Sequence, residues 1–225
     1  MKRSNTDTCC LTLPLKLEKW KEDRLAKRFE IARQIYNTMV HAELKKLRNI
    51  ENSQPYRQIQ KQIEALDWKN QNDKARLKSL YNERNQLLKA SGFTEYGFKA
   101  DIKYYYKHFN DNIGSSVAVH GIAPQVWAAF EKMLFHKEGK KVHYKKKDDI
   151  HSLRGYSVTG KSGGVEIIFR ETYIEWKGLK LPLKRSPDKE MTAGMPNFRS
   201  RENLQSSVIR RAANFGMLSV GVRLD

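Results

Sequence analysis

The spacing of apolar positions changes twice along the chain. Residues 9–15 alternate, with Leu11, Leu13 and Leu15 on one face, and predict a short strand; Pro14 suits a strand end or edge. Leu25, Phe29, Ala32, Tyr36, Met39 or Val40, Leu44 and Leu47 then recur every three or four residues, predicting a long amphipathic helix over about 19–49. A second helix follows Pro55 through Ile59, Ile63 and Leu66. A third runs from Asp73 to Ala90 and is closed by Ser91-Gly92. Glu95 to Phe109 reads as a shorter aromatic-rich helix. Ser116 to Phe135 reads as a last helix, or two divided near Gly121 and Pro124. Beyond His136 the pattern returns to alternation. Ser152–Thr159, Val165–Arg170, Tyr173–Trp176 and Leu179–Leu183 predict strands, with turns at 160–164 and at Lys177-Gly178. Residues 186–207 read as loop or linker, carrying Pro187, Gly194 and Pro196. Final strands are expected within Val208–Arg211 and Met217–Leu224.

The order is strand, helical block, strands, and the class is α+β. A lone first strand does not stand by itself, so it is expected to pair with the later ones. The helices (16–137) then form an insertion into a β-barrel or sheet built from residues 9–15 and 138–225.

Charge narrows the partner. Forty-three Lys and Arg stand against 25 Asp and Glu, a net charge of +18, which repels itself unless a polyanion shares it. Nucleic acid fits, because each neutralised phosphate releases counterions. A membrane-surface helix segregates its charges, whereas Glu18, Glu22, Asp23 and Glu30 are mixed among the bases here. No apolar run is long enough to span a bilayer, and the polar N-terminus lacks the apolar stretch of a secretory signal. The two cysteines, Cys9 and Cys10, are adjacent and form neither a zinc pair nor a disulfide framework, so a reducing cytoplasm is the expected compartment.

Catalytic and cofactor chemistry finds little support. Gly155 to Ser162 matches the phosphate-loop pattern GxxxxGK[ST], but Gly163-Gly164 and a strand-forming run follow where a helix is required, so a hairpin turn is expected. His136, His143 and His151 have no compact metal spacing and are expected to be solvated or to face phosphates. Asp148-Asp149 is read as a solvated turn, and no carboxylate set converges for a two-metal nuclease. No cofactor and no metal are expected. Two basic-aromatic stretches stand out instead. One runs from Gly139 to Lys147, with Lys140, Lys141, Tyr144, Lys145, Lys146 and Lys147 as candidate contacts and Arg154 just beyond. The other is Lys103–Phe109, with Lys103, Tyr105 and Lys107. Lysines meet phosphates, and tyrosines stack on bases or sugars. Three consecutive tyrosines on a helix cannot all face the core, so at least one is expected to be exposed.

Several short motifs, in order, resemble a known family. Ala32-Arg33-Gln34-Ile35-Tyr36-Asn37 resembles the "AR-x-x-YN" helix of TnpB, the transposon-encoded RNA-guided nuclease, and of its type V CRISPR effector relatives. Gln125–Phe135 resembles the helix before their sheet. Lys140-Lys141, Lys145-Lys146-Lys147 and Ser152-Leu153-Arg154 resemble a "GKK…Y-KKK…SFR" run, and Tyr173–Pro182 resembles a strand ending "L-K-L-P". The resemblance implies a helical recognition domain inserted into an oligonucleotide-binding-like β-barrel, the wedge domain. It implies guide RNA and target-adjacent double-stranded DNA as partners, with the helix after Val119 near that duplex and His120 and Gln125 as base-edge readers. Arg33 and Asn37 either contact nucleic acid or brace the helix, and Tyr36 belongs to the core. Family members also carry a RuvC-like nuclease domain and a zinc finger. This sequence has no CxxC pairs, and Arg223 stands where the family has its first catalytic aspartate. The expectation is therefore a binding module without a nuclease site of its own. The alternatives are part of a split or truncated RNA-guided endonuclease, working with a separate nuclease chain, and a generic RNA- or DNA-binding protein.

Overall fold

A computed structural model describes residues 9–136, 141–155, 167–169, 172–184, 204–211 and 218–224, with side-chain detail for 15–136, 141–155 and 172–184. Helix and strand are mixed, and helix predominates. Strand β1 (Cys9–Pro14) leads into α1 (Lys19–Glu51), α2 (Gln54–Glu64), α3 (Gln71–Ala90), α4 (Glu95–Asp101), α5 (Lys103–Tyr106) and α6 (Ala123–Phe135). The strands β2 (Ser152–Gly155), β3 (Ile167–Phe169), β4 (Tyr173–Trp176), β5 (Leu179–Pro182), β6 (Leu204–Arg211) and β7 (Leu218–Leu224) follow.

The first strand pairs with the last. Cys9 opposes Leu224 and Pro14 opposes Ser219 in an antiparallel ladder, and the sheet order is β1-β7-β6-β2. A second antiparallel sheet has the order β3-β4-β5. The two meet where Leu15 bridges Leu183 and the Lys16 N–H donates to the Pro182 carbonyl at 2.9 Å. Among the described residues, the helices thus all lie, in chain order, between β1 and β2. Leu204–Ser207, expected within the loop or linker, belong to β6, where Ser207 is paired to both Gly155 and Val222. The rest of that segment, and the phosphate-loop match beyond Gly155, lie outside the described residues.

One core joins helices and strands. The inner stripe of α1 (Leu25, Phe29, Ala32, Tyr36, Met39, Val40 and Leu47) is buried against Phe93, Phe98, Phe130, Leu153, Ile174 and Trp176. Phe98 stacks edge-on with Phe93, Trp127 and Phe130 at centroid distances of 5.9, 5.3 and 5.2 Å. The end of α3 is a Schellman closure. Gly92 takes φ +91°, its N–H bonds the Lys89 carbonyl, the Phe93 N–H bonds the Leu88 carbonyl, and Leu88 and Phe93 are both buried.

Two helical stretches depart from their expected form. Glu95–Phe109 is not one helix. At Ile102 the bonding tightens, with the Tyr105 N–H on the Ile102 carbonyl at 2.9 Å. The fully buried Ile102 separates α4 from α5, and Lys107–Phe109 finish as a 3₁₀ turn. Upstream of α6, Val117–Ile122 form a π turn, with the Ala123 N–H reaching back to the Ala118 carbonyl. Pro124, which has no N–H, then starts the regular helix. The widened turn presses on β2 so closely that a Cβ on Gly121 would lie 2.2 Å from the Arg154 carbonyl oxygen.

Candidate nucleic-acid interface

The four-residue spacing of Arg33, Asn37 and His41 lays three polar side chains along one stripe of α1. The basic segment 141–149 lies across that stripe. Asn37 Nδ2 donates to the Lys145 carbonyl at 2.9 Å, and the Lys145 N–H donates to Asn37 Oδ1 at 2.8 Å. Arg33 Nη1 adds a second donor to the same carbonyl at 3.1 Å. Its other nitrogens grip Glu30, Nε to Oε2 at 2.8 Å and Nη2 to Oε1 at 2.6 Å. The Arg33 guanidinium thereby holds the Glu30 carboxyl below its ordinary value, and Glu30 raises Arg33 in return. Asn37 and Arg33 Nη1 thus brace the loop backbone, while the rest of the Arg33 guanidinium is held by Glu30.

The loop's side chains divide accordingly. Lys145 Nζ sits 5.8 Å from the centroid of the buried Tyr36 ring, a cation–π contact. Tyr144 is 50% exposed, with its hydroxyl 3.3 Å from His41 Nδ1. Lys141, Lys146 and Lys147 are exposed. The segment then turns back on itself. The Asp149 N–H bonds the Lys146 carbonyl at 3.2 Å, Asp149 Oδ2 accepts from the Lys146 N–H at 2.6 Å, and Asp148 adopts φ +65°, a conformation aspartate tolerates well. Buried Ile150 and Leu153 anchor the far side. The result is a positively charged loop whose backbone is clamped and in which Lys141, Lys146 and Lys147 are exposed while Lys145 lies over Tyr36. Lys140 lies outside the described residues.

The second stretch presents different atoms from those expected. Lys103 and Lys107 are exposed, but Tyr105 is half-buried against the core, and burial pushes its phenol upward. The exposed ring is Tyr104, at 78%. Tyr96 on α4 is exposed too and carried no signal beyond its helical position. His120 is half-buried in the π turn and Gln125 is exposed in the first turn of α6. The π turn that holds His120 packs on β2, where Arg154 is exposed, and Gln125 follows it on α6. The candidates therefore form a tight group on α1 and loop 141–149, with two further groups on α5 and around the π turn.

Arg28 was not singled out by its type or spacing. It is buried, with Nη1 donating to the Trp176 carbonyl, Nη2 donating to the Lys177 carbonyl at 3.0 Å and the guanidinium 4.7 Å from the Trp176 ring centroid. Desolvation lowers it to about 10, so it stays protonated at neutral pH. Its carbonyl partners mark it as structural. Among the described residues no group of three or more His, Cys, Asp or Glu could hold a metal, and His136, His143 and His151 are exposed. No helix among them is long and apolar enough to cross a membrane. The sequence matches no family model and no curated protein.

Proposed function

We propose that the chain is a nucleic-acid-binding module of an RNA-guided DNA-targeting system of the TnpB kind, engaging the scaffold of a guide RNA and the duplex beside the target. The observation that carries the binding half of this reading is loop 141–149, where exposed lysines and Tyr144 project from a backbone clamped by Asn37 and Arg33. A fixed backbone spares the ordering cost that a flexible lysine-rich segment meets on binding. The lysine heads supply phosphate contacts and Tyr144 supplies a stacking face. The net charge of +18 gives long-range attraction to a polyanion. In the guided mode, base pairing supplies most of the sequence choice.

The strand order supports the barrel half. The strands run β2-β6-β7-β1 and continue through the Leu15–Leu183 bridge to β5-β4-β3, an order compatible with a barrel whose closure would bring β2 beside β3. A barrel of this kind offers a curved, loop-rimmed surface suited to oligonucleotides.

The deciding experiment expresses the chain together with its flanking genomic DNA, recovers it and sequences the bound RNA. Enrichment of one RNA of defined ends from the adjacent locus is expected. Recovery of only ribosomal and random RNA overturns the guided mode and leaves a generic nucleic-acid binder. Recovery of no RNA, with no salt-dependent binding to RNA or DNA duplex in vitro, overturns the reading altogether.

A further inference from the structure

Helices α2 and α3 form an arm. At its base, Leu88 belongs to the main core and Tyr56 packs against it; farther out, Ile63, Leu77 and Leu80, with Ile59 and Leu66, make a small core of their own. At 1.5 Å per residue, Gln71 lies roughly 25 Å along α3 from Leu88. Near the far end Arg76 Nη2 donates to Gln62 Oε1 at 2.9 Å and ties the two helices together.

The turn at the tip is pinned by its own polar groups. Asp67 Oδ1 accepts from the Lys69 N–H at 2.9 Å, Asp73 Oδ2 accepts from the Asp67 N–H at 3.2 Å, and the Asn70 N–H bonds the Asp67 carbonyl at 3.0 Å. Asn70 caps α3 by accepting from the Asn72 N–H at 3.1 Å. Both acids at the tip are thus turned onto backbone. Trp68 projects from this turn, 71% exposed, with Lys69 Nζ 5.6 Å from its ring centroid. A single exposed apolar residue is ordinary. A tryptophan at the end of a braced arm, on a turn held in place, beside a cation, is a more specific arrangement. The charge around it fits a polyanion: residues 54–90 hold eight Lys and Arg against four Asp and Glu.

We propose that the tip of the α2–α3 arm is a base-stacking site, in which Trp68 covers the face of an unpaired nucleobase and Lys69 meets a neighbouring phosphate. The inference rests on the nucleic-acid-binding reading above and adds where single-stranded segments are held. Every base has a π-face, so the site tolerates any sequence, and an indole offers the largest stacking area of any side chain.

The test titrates the full chain with a short single-stranded RNA of mixed sequence and with an abasic ribose-phosphate strand of equal length. Trp68→Ala is expected to weaken binding of the base-bearing strand about 5- to 100-fold and leave the abasic strand unchanged. The wild type is expected to show tryptophan fluorescence quenching on binding, and Trp68→Phe to keep most of the affinity while losing that part of the quenching due to Trp68. Equal binding of the base-bearing strand by W68A and wild type overturns the proposal, and so does equal weakening on both strands. The double variant Lys146→Glu/Lys147→Glu separates the two ideas. If it weakens both strands while W68A changes nothing, the loop reading stands and the stacking site falls. If the wild type binds neither strand, both fall.

Discussion

Asn37 and Lys145, 108 residues apart, are joined side chain to backbone by two hydrogen bonds of 2.9 and 2.8 Å, the amide of one matching both the carbonyl and the N–H of the other. An asparagine is the smallest side chain able to mimic a paired strand in this way, and here it sets the height of the basic loop over α1. Asn37→Ala removes both bonds and is expected to cost about 1–3 kcal/mol of stability, since each bond contributes about 0.5–1.5 kcal/mol net. It also releases the loop, so nucleic-acid affinity falls severalfold with no charge changed. Asn37→Asp keeps the acceptor but sets a carboxylate against the Lys145 carbonyl, and is expected to be at least as damaging. Urea unfolding and hydrogen exchange over 141–150 check this; unchanged protection there in N37A sinks the clamp.

The exposed lysines carry a different signature. If Lys141, Lys146 and Lys147 each meet a phosphate, the triple change to glutamine lowers the slope of log K against log salt by about 2–3, at about 0.7–0.9 per contact. Stability is expected to stay near that of the wild type, because these heads point to water. Lys145→Gln behaves in the opposite sense. Its ammonium lies over the Tyr36 ring, so the change acts mainly on stability and less on the slope. A fluorescence-anisotropy titration at several salt concentrations distinguishes the two; an unaltered slope in the triple variant refutes the phosphate contacts.

The period of the apolar positions made most of the fold legible. Alternation at Leu11, Leu13 and Leu15 and the three-to-four spacing from Leu25 to Leu47 located β1 and α1 to within two residues at each end. The break at Ile102 left no such trace, because φ and ψ there stay helical and only the bonding shortens. The π turn was half visible: Gly121 and Pro124 marked an interruption, but the closeness to the Arg154 carbonyl that requires Gly121 is a tertiary fact. In the site, composition located the lysines. It could not tell Tyr105 from Tyr104, since neighbouring helical residues differ by about 100° in direction and only packing decides which is buried. The bracing roles of Arg33 and Asn37 depend on a segment more than a hundred residues away, which no local pattern contains.

Arg28 joins α1 to the β4–β5 hairpin, donating to the carbonyls of Trp176 and Lys177 while lying against the indole. Those carbonyls belong to the start and the middle of a turn in which Lys177 (φ +45°) and Gly178 (φ +73°) both take left-handed conformations. Arg28→Ala strands two acceptors and removes the cation from the ring, and is expected to cost about 2–4 kcal/mol. Arg28→Lys supplies one point charge in place of a planar fork and is expected to recover less than half of that loss. Urea unfolding of the three proteins measures both. An alanine variant within about 0.5 kcal/mol of wild type, the range of an ordinary surface change, would remove Arg28 from the account of the fold.

Glu43 on α1 is only 2% exposed, and its Oε2 lies 3.6 Å from Lys46 Nζ with no hydrogen-bond partner among the described residues. Lys46 is shared: the same ammonium is 2.9 Å from Asp101 on α4. Burial pushes the Glu43 carboxyl up to about 7, the Asp101 charge pushes the same way, and Lys46 pulls against both. The sign follows from linkage. Between about 4.5 and 7 the folded chain holds a proton that the unfolded chain has released. The contribution is complete below pH 4.5 and disappears as pH rises through 7, so this group makes the protein less stable with rising pH. The size is on the order of 3 kcal/mol. Glu43→Gln, a neutral copy of the protonated acid, is expected to match the wild type at about pH 4, below the ordinary carboxyl value, and to be the more stable of the two at pH 8. Unfolding free energies of both proteins across that range, compared by difference so that the histidines cancel, decide it. A difference that stays flat with pH would mean that Glu43 is ionised throughout and that Lys46 holds both carboxylates at once.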